Sequence, residues 1–184
     1  MDWELSLVNV AIVIAFYELF HAYLYYKSKG VRREGKINVR VLDINEENAI
    51  TLNSIFFRNT IVFLSNKIGE EVLRHEEGHV KQFNYIYAFL VAIAALLPVS
   101  TLLAIPAIPI GKYLLWKMER NADLYAYSKY NIKYMSNAQR PKSGIERLKE
   151  WVLDSHPPDY IRTKEEYYEK KNSLIKLLLK DLFS

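Results

Sequence analysis

The chain has 184 residues, 51% of them hydrophobic, and a formal net charge of +4. This length allows one domain, or one domain with appendages, and a sizeable core. The chain has no cysteine, which excludes disulfides and thiolate metal sites, so a transition metal would need histidine and carboxylate ligands. The basic residues are interspersed with acidic ones and do not cluster with aromatic residues, which argues against nucleic-acid binding.

The first long apolar segment is residues 5–26, about 22 residues in which Glu18 and His21 are the strongly polar interruptions. Acidic residues precede the segment and five basic residues follow it within ten positions. By the positive-inside rule, the amino terminus would lie outside and the rest of the chain in the cytoplasm. Residues 1–29 are therefore predicted to be a membrane anchor. A buried helix of a soluble protein is the alternative, because Glu18 would be costly in hydrocarbon.

The segments that follow predict a small sheet and then a helix. Residues 30–35 are predicted as a charged turn, and residues 37–44 alternate as in a half-buried strand. After a loop, residues 54–65 are rich in β-branched and aromatic side chains, which predicts a strand or a short hairpin. Residues 66–87 have apolar side chains at helical spacing, so a helix is expected there.

This helix carries the sequence His75-Glu76-Glu77-Gly78-His79. Side chains at i and i+4 lie on one face of a helix, so both imidazoles could bind one zinc ion. Glu76 would project beside them, where a general base is needed to take a proton from the attacking water. The pattern is typical of zinc metallopeptidases, and it predicts an enzyme that hydrolyses peptide bonds.

Residues 85–110 form a second uncharged run of about 26 residues, which three prolines interrupt. Beyond it, Glu119 could be the third protein ligand that a catalytic zinc needs, and Asp123, one turn later, could orient a ligand imidazole. The run must then begin and end on one side of any membrane, and about 13 residues per arm are too few for two crossings. We expect a helical hairpin over residues 85–118, with its tip near Pro98, that dips partly into a bilayer or packs in a soluble core.

The C-terminal region is predicted to contain two further helices. Residues 127–140 are expected to be a polar connection and residues 144–153 a short helix. In the final segment, residues 166–184, an amphipathic helix is predicted from 173 to 183. This helix could inhibit the site, lie on a membrane surface or pack on the body of the protein.

Three motifs occur in order along the chain: HEEGH at 75–79, ERNAD at 119–123 and SHPPDYIR at 155–162. Together they resemble the motifs of the gluzincin metallopeptidases, in the group that contains the heat-shock protease HtpX and the CAAX prenyl proteases. The resemblance covers residues 45–165 approximately. It implies a mostly helical α+β fold with a small antiparallel sheet beside the zinc-binding helix, and one catalytic Zn²⁺. It also implies that the strand within 54–65 forms the edge of the substrate cleft.

The resemblance also implies roles for particular residues. The zinc ligands would be His75, His79 and Glu119. His156 would stabilise the oxyanion or cap the zinc in a resting state, and Arg162 would organise the His-Pro-Pro loop.

The sequence thus predicts a membrane-associated zinc endopeptidase. Its metallopeptidase domain, residues 30–165, would face the cytoplasm and act on membrane or unfolded proteins, with membrane lipid as a further partner and no nucleic acid. A catalytically silent or latent zinc-binding membrane protein is the alternative. The presence of Glu76, a residue suited to activating water, argues against a silent site.

Overall fold

The computed structural model describes residues 3–184. Helices account for 59% of the chain and strands for 10%, which confirms the predicted α+β, mostly helical fold class. The helices are α1 (Trp3–Lys27), α2 (Glu70–Lys81), α3 (Tyr85–Leu96), α4 (Ala104–Tyr130), α5 (Gly144–Leu153), α6 (Asp159–Arg162), α7 (Glu165–Tyr168) and α8 (Leu174–Phe183). The strands are β1 (Lys29–Glu34), β2 (Ile37–Val41), β3 (Ala49–Leu52) and β4 (Thr60–Phe63).

The four strands form one sheet in the order β1-β2-β4-β3. The outer pairs are antiparallel, but β2 and β4 run parallel, so the sheet is mixed rather than antiparallel throughout. The segment predicted as a charged turn is strand β1, and the expected loop after β2 contains strand β3. Neither strand shows alternating burial, and this explains why periodicity did not reveal them.

Helix α1 packs one side against the protein and exposes large apolar side chains along the other. It is long and apolar enough to cross a membrane, by length and composition. Its polar interruptions, Glu18 and His21, are both buried against the protein. The Glu18 carboxylate accepts a hydrogen bond of 2.9 Å from the backbone N–H of Ile55. Glu18, the residue that argued against a membrane helix, therefore lies on the side of α1 that faces the protein.

Helix α3 and the first part of α4 form a helical hairpin whose turn contains Pro98, as predicted. Helix α1 runs beside it. The hydroxyl of Ser6 donates a 2.9 Å hydrogen bond to the carbonyl of Ala95, near the tip, and the rings of Tyr17 and Tyr87 stack 4.3 Å apart at the base. The tip of the hairpin is therefore level with the start of α1, and the two elements would enter a membrane to the same depth.

The C-terminal helices pack around an aromatic core that includes Trp116, Trp151 and Tyr167. Helix α8 buries Leu174 and Leu177 in this core. It is also anchored by Asp181, which accepts hydrogen bonds from Tyr160 Oη (2.7 Å), Arg140 Nε (2.8 Å) and Trp151 Nε1 (3.1 Å). The terminal helix therefore packs on the body of the protein, and its position does not support inhibition of the site by the tail.

Candidate metal centre

Helices α2 and α4 approach each other closely at Gly78, within the HEEGH motif. A Cβ atom at this position would lie 2.6 Å from the Cα of Ala122 and 2.9 Å from its carbonyl oxygen. Only glycine fits there, because the neighbouring atoms belong to the backbone of α4 and cannot move away. This close approach brings His75 and His79 of α2 opposite Glu119 and Asp123 of α4.

A buried carboxylate, Glu77, fastens the same two helices on the other side. It accepts hydrogen bonds from Tyr125 (2.6 Å), Tyr130 (2.7 Å), Lys129 (3.0 Å) and Arg74 (3.1 Å). Burial alone would raise the pKa of Glu77, but these donors together lower it to about 2. The second glutamate of the motif is thus an ionised structural residue, and it is not available as a base.

The three predicted ligand residues point their donor atoms at one location. His75 Nε2 lies 3.1 Å from His79 Nε2. Of the two Glu119 carboxylate oxygens, Oε2 lies 3.3 Å from His75 Nε2 and Oε1 lies 3.2 Å from His79 Nε2. Ligands at about 2.0 Å from a tetrahedral zinc ion are about 3.3 Å apart. The spacing and the donor set of two imidazoles and one carboxylate therefore fit a zinc site with one position left for water.

Burial and the charged neighbours shift the pKa values of His75 and Glu119 in opposite directions. Burial disfavours a charged His75, but its hydrogen bonds with Asp123 and Glu119 outweigh burial and raise its pKa to about 10. Burial likewise disfavours an ionised Glu119, yet the two histidines lower its pKa well below the usual value. A metal ion would compete with a proton for His75 Nε2, because an imidazole nitrogen binds a metal only when it is deprotonated.

The predicted base, Glu76, is held beside these ligands by the edge strand β3. Its carboxylate is buried and accepts a 2.6 Å hydrogen bond from the Thr51 hydroxyl. Ligand atoms of Glu76, His75 and His79 all lie within 4.8 Å of one another. Thr51 was not singled out from the sequence, since a threonine in a short strand carries no motif.

A chain of hydrogen bonds holds the His75 ring at Nδ1, the nitrogen opposite the predicted metal-binding Nε2. The Asp123 carboxylate lies 2.8 Å from His75 Nδ1 and accepts two 2.9 Å hydrogen bonds from Arg162 and one of 2.9 Å from Tyr167. Burial would raise the pKa of Asp123, but His75 and Arg162 lower it, so the carboxylate is ionised. An ionised acceptor at Nδ1 leaves Nε2 free to bind a metal.

Arg162 was predicted to organise the His-Pro-Pro loop, and in the structure its main partner is Asp123 of α4. Tyr167 was missed, because it follows the last motif. A second supporting residue, Gln82, was also missed: its Nε2 atom lies 2.7 Å from His79 Nδ1 and 3.0 Å from the Met118 carbonyl.

The cluster opens into a cleft of about 420 Å³, whose walls include Glu76, Glu119, His156 and Tyr134. His156 Nδ1 lies 3.0 Å from the carbonyl of Pro157 and 3.8 Å from an Asp159 carboxylate oxygen, so its observed partners belong to its own loop. The structure therefore places His156 in the cleft wall, and its predicted catalytic role stays a prediction.

The strand expected to form the edge of the cleft was wrongly assigned. Strand β4, within residues 54–65, lies between β2 and β3 in the interior of the sheet. The edge is β3: Ala49 lines the cleft, and Ala49, Ile50 and Thr51 line a smaller opening on the other side of the cluster. The run of β-branched and aromatic residues predicted β4 because both faces of that strand are buried, and its place at the edge had been inferred from the family resemblance alone.

The structure thus brings the predicted site residues together, and their catalytic roles stay predictions. They are His75, Glu76, His79, Glu119, Asp123, His156 and Arg162. In comparisons with known proteins, no protein family, no curated protein and no solved structure matches this chain.

Proposed function

We propose that the protein is a zinc endopeptidase of the gluzincin type. The observation that supports this most strongly is the close approach of His75 Nε2, His79 Nε2 and the two Glu119 carboxylate oxygens, at separations of 3.1 to 3.3 Å. These three residues would hold one zinc ion. When bound, zinc lowers the pKa of a water molecule to about 7 and polarises a carbonyl group, which is the chemistry that peptide hydrolysis needs.

Glu76 is the proposed general base. The hydrogen bond from Thr51 fixes its carboxylate beside the ligand nitrogens. From there Glu76 would take a proton from the attacking water and deliver it to the leaving amine. His156, in the wall of the same cleft, would donate a hydrogen bond to the developing oxyanion.

Asp123 is proposed to be a positioning residue. Its ionised carboxylate keeps the His75 proton on Nδ1 and fixes the orientation of the ring. Arg162 and Tyr167 hold Asp123 in turn, so the geometry of the site depends on the loop that carries them.

The position of β3 at the edge of the sheet favours a polypeptide substrate in extended conformation. Strand β3 pairs with β4 on one side only, and its residues line the openings on both sides of the cluster. An extended chain could add to this edge by β-augmentation, which requires an unfolded or flexible segment. The substrates would therefore be membrane proteins or unfolded proteins.

Membrane association is proposed from α1 and the hairpin beside it. The exposed side of α1 carries apolar side chains along its whole length, including Leu5, Ile12, Phe16, Leu19 and Tyr23. The basic residues that follow α1 would place the catalytic domain in the cytoplasm, with lipid as a further partner.

Substitution of the base tests this function. Glu76→Gln should keep zinc but lose at least about 100-fold in the cleavage of casein, because only the proton acceptor is removed. The matched control is Glu70→Gln, at an exposed position of the same helix that does not line the cleft, which should cleave casein as the wild type does. Equal activity of the wild type and Glu76→Gln would refute the mechanism.

A further inference from the structure

A recess larger than the cleft lies between helices α1 and α3 and the loop that connects β3 to β4. Its volume is about 750 Å³, which is within the usual range for sites that bind small molecules. Ile14 of α1 and Ala88 and Val91 of α3 line it on the side of the helices, and Ile55 and Arg58 line it on the side of the loop. The recess therefore has an apolar part between two apolar helices and a charged part at the loop.

The apolar part of the recess extends toward the tip of the hairpin. The rings of Tyr17 and Tyr87 stack where the hairpin begins. Ile14 lies about one helical turn before Tyr17, and Val91 lies about one turn after Tyr87, so both are on the tip side of this pair. If α1 and the hairpin are embedded in a bilayer, this part of the recess lies deepest in the hydrocarbon.

The charged part of the recess lies near the other end of α1. In the loop, the ring of Phe57 packs 4.9 Å from the ring of Tyr25, close to the basic end of α1 at Lys27. Arg58 directly follows Phe57 and lines the recess. Ile14 is 11 residues from Tyr25, which is about 16 Å along a helix. One leaflet contributes about 15 Å of hydrocarbon to a bilayer, so the recess extends over about the depth of one leaflet.

Arg58 supplies a positive charge without a counter-ion. It is exposed, and its guanidinium group has no hydrogen bond or ion pair with any of residues 3–184. Among the described residues, the lining of the recess contains no aspartate or glutamate. Glu18 of α1 is buried and binds the backbone N–H of Ile55 instead. Because a guanidinium group forms paired hydrogen bonds with phosphate oxygens, this end of the recess suits a phosphate group.

We propose that the recess binds one phospholipid molecule, with its phosphate group at Arg58 and one acyl chain between α1 and α3 along Ile14 and Val91. This inference rests on the proposed membrane association and is independent of the peptidase function. The recess offers no carboxylate to neutralise the cation of a choline headgroup. The carboxamides of Asn53 and Asn59, in the same lining, would bind headgroup hydroxyls, so phosphatidylglycerol fits better than phosphatidylcholine.

Lipid binding to the full-length protein in detergent tests the headgroup assignment. Native mass spectrometry should show tighter binding of phosphatidylglycerol than of phosphatidylcholine. Arg58→Gln should weaken phosphatidylglycerol binding at least about tenfold, because the charged hydrogen bonds to phosphate are lost. The matched control is Arg33→Gln, which removes an exposed arginine outside the recess and should bind the lipid as the wild type does. Equal binding of phosphatidylglycerol by the two variants would overturn the proposal.

The position of the acyl chain can be mapped by crosslinking. The probe is phosphatidylglycerol with a diazirine at the end of one acyl chain, in liposomes that contain the full-length protein. After irradiation, mass spectrometry should find crosslinks concentrated around Ile14 and Val91. An excess of unlabelled phosphatidylglycerol should remove them, whereas glycerol 3-phosphate, which has no acyl chain, should not. Crosslinks spread evenly along the exposed side of α1 would indicate ordinary bilayer contact and would refute the site.

A variant that fills the recess complements the crosslinking. Ala88 is an exposed residue of α3 in the lining, so Ala88→Trp should occupy the space of the acyl chain and reduce the crosslinks at least about tenfold. Leu90→Trp is the matched control, because Leu90 is exposed on the same helix but does not line the recess. Equal crosslinking of the two variants would count against the site.

The proposals fail in different ways. If the wild type does not sediment with liposomes, membrane association is refuted, and the lipid site with it. If the protein sediments with liposomes but Arg58→Gln and Arg33→Gln bind phosphatidylglycerol equally, only the lipid site is refuted. Neither result affects the peptidase function, which the casein assay of Glu76→Gln tests.

Discussion

Arg162 binds Asp123 through two hydrogen bonds of 2.9 Å, and both partners are buried. The same carboxylate lies 2.8 Å from Nδ1 of His75. Arg162, of the His-Pro-Pro element, therefore influences the candidate metal centre indirectly, through Asp123 of α4. The loop that contains Arg162 and the helix that carries Glu119, the proposed third ligand, are thereby held as one unit.

Asp123→Asn should weaken zinc binding about 10- to 100-fold, because the neutral amide is a poorer acceptor for the Nδ1 proton of His75. Competition with a chelator measures this affinity. As a control for charge alone, Asp43→Asn removes an exposed carboxylate far along the chain and should leave zinc affinity unchanged. Wild-type zinc affinity in Asp123→Asn would show that the carboxylate does not position the ligand.

Gly78→Ala should separate α2 from α4, since the added Cβ would meet the Ala122 backbone at 2.6 Å. We expect a loss of about 1–3 kcal/mol in the free energy of unfolding and a loss of bound zinc. Gly69→Ala is the matched control, because its Cβ would find its nearest neighbour, on Val72, at an ordinary 3.8 Å. Chemical unfolding and metal analysis of both variants check the prediction. Equal unfolding free energies and equal zinc contents of Gly78→Ala and Gly69→Ala would contradict it.

Thr51→Val should reduce kcat/KM for casein about tenfold without changing the zinc content, because it removes the hydrogen bond that holds the Glu76 carboxylate. Valine has nearly the same shape as threonine, so the strand should stay intact. Thr60→Val, in the neighbouring strand β4, is the control, since the Thr60 hydroxyl contacts a backbone carbonyl and not the site. If Thr51→Val cleaves casein as fast as the wild type, Thr51 does not position the Glu76 carboxylate for catalysis.

The pH dependence of stability should report on Asp181. Burial would raise the pKa of Asp181, but hydrogen bonds from Tyr160, Arg140 and Trp151 lower it below the usual value of about 4. Because the folded-state pKa is the lower one, this carboxylate stabilises the protein above about pH 4, and the contribution is lost as the pH falls below that value.

Asp181→Asn should therefore lower the free energy of unfolding by about 1–3 kcal/mol at neutral pH, and the difference from wild type should shrink in acid. Urea unfolding at several pH values measures it. Glu146→Gln, at an exposed position of α5, should show no such difference. A difference between Asp181→Asn and wild type that grew as the pH fell would contradict the sign of the pKa shift.

Several elements were predictable because their signals are local. The spacing of His75 and His79 placed them on one helical face, and the bounds of α5, Gly144–Leu153, agree with its apolar pattern. The hairpin was predicted from a long-range requirement. If Glu119 is to bind the same ion as His75 and His79, the apolar run between them must turn back. The edge strands β1 and β3 were not predictable, because exposed or short strands acquire their structure by pairing with neighbours rather than from alternation.

By itself, then, the sequence determined the donor set, the helical faces that carry it and the need for the chain to turn back. These follow from residue type and helical period. The tertiary structure decided which residues complete the site. Thr51 is 25 residues from Glu76 and Tyr167 is 44 residues from Asp123, so no periodicity relates them. They meet because α2 and α4 pack at the distance that Gly78 permits, and packing between distant segments depends on the shapes of both surfaces.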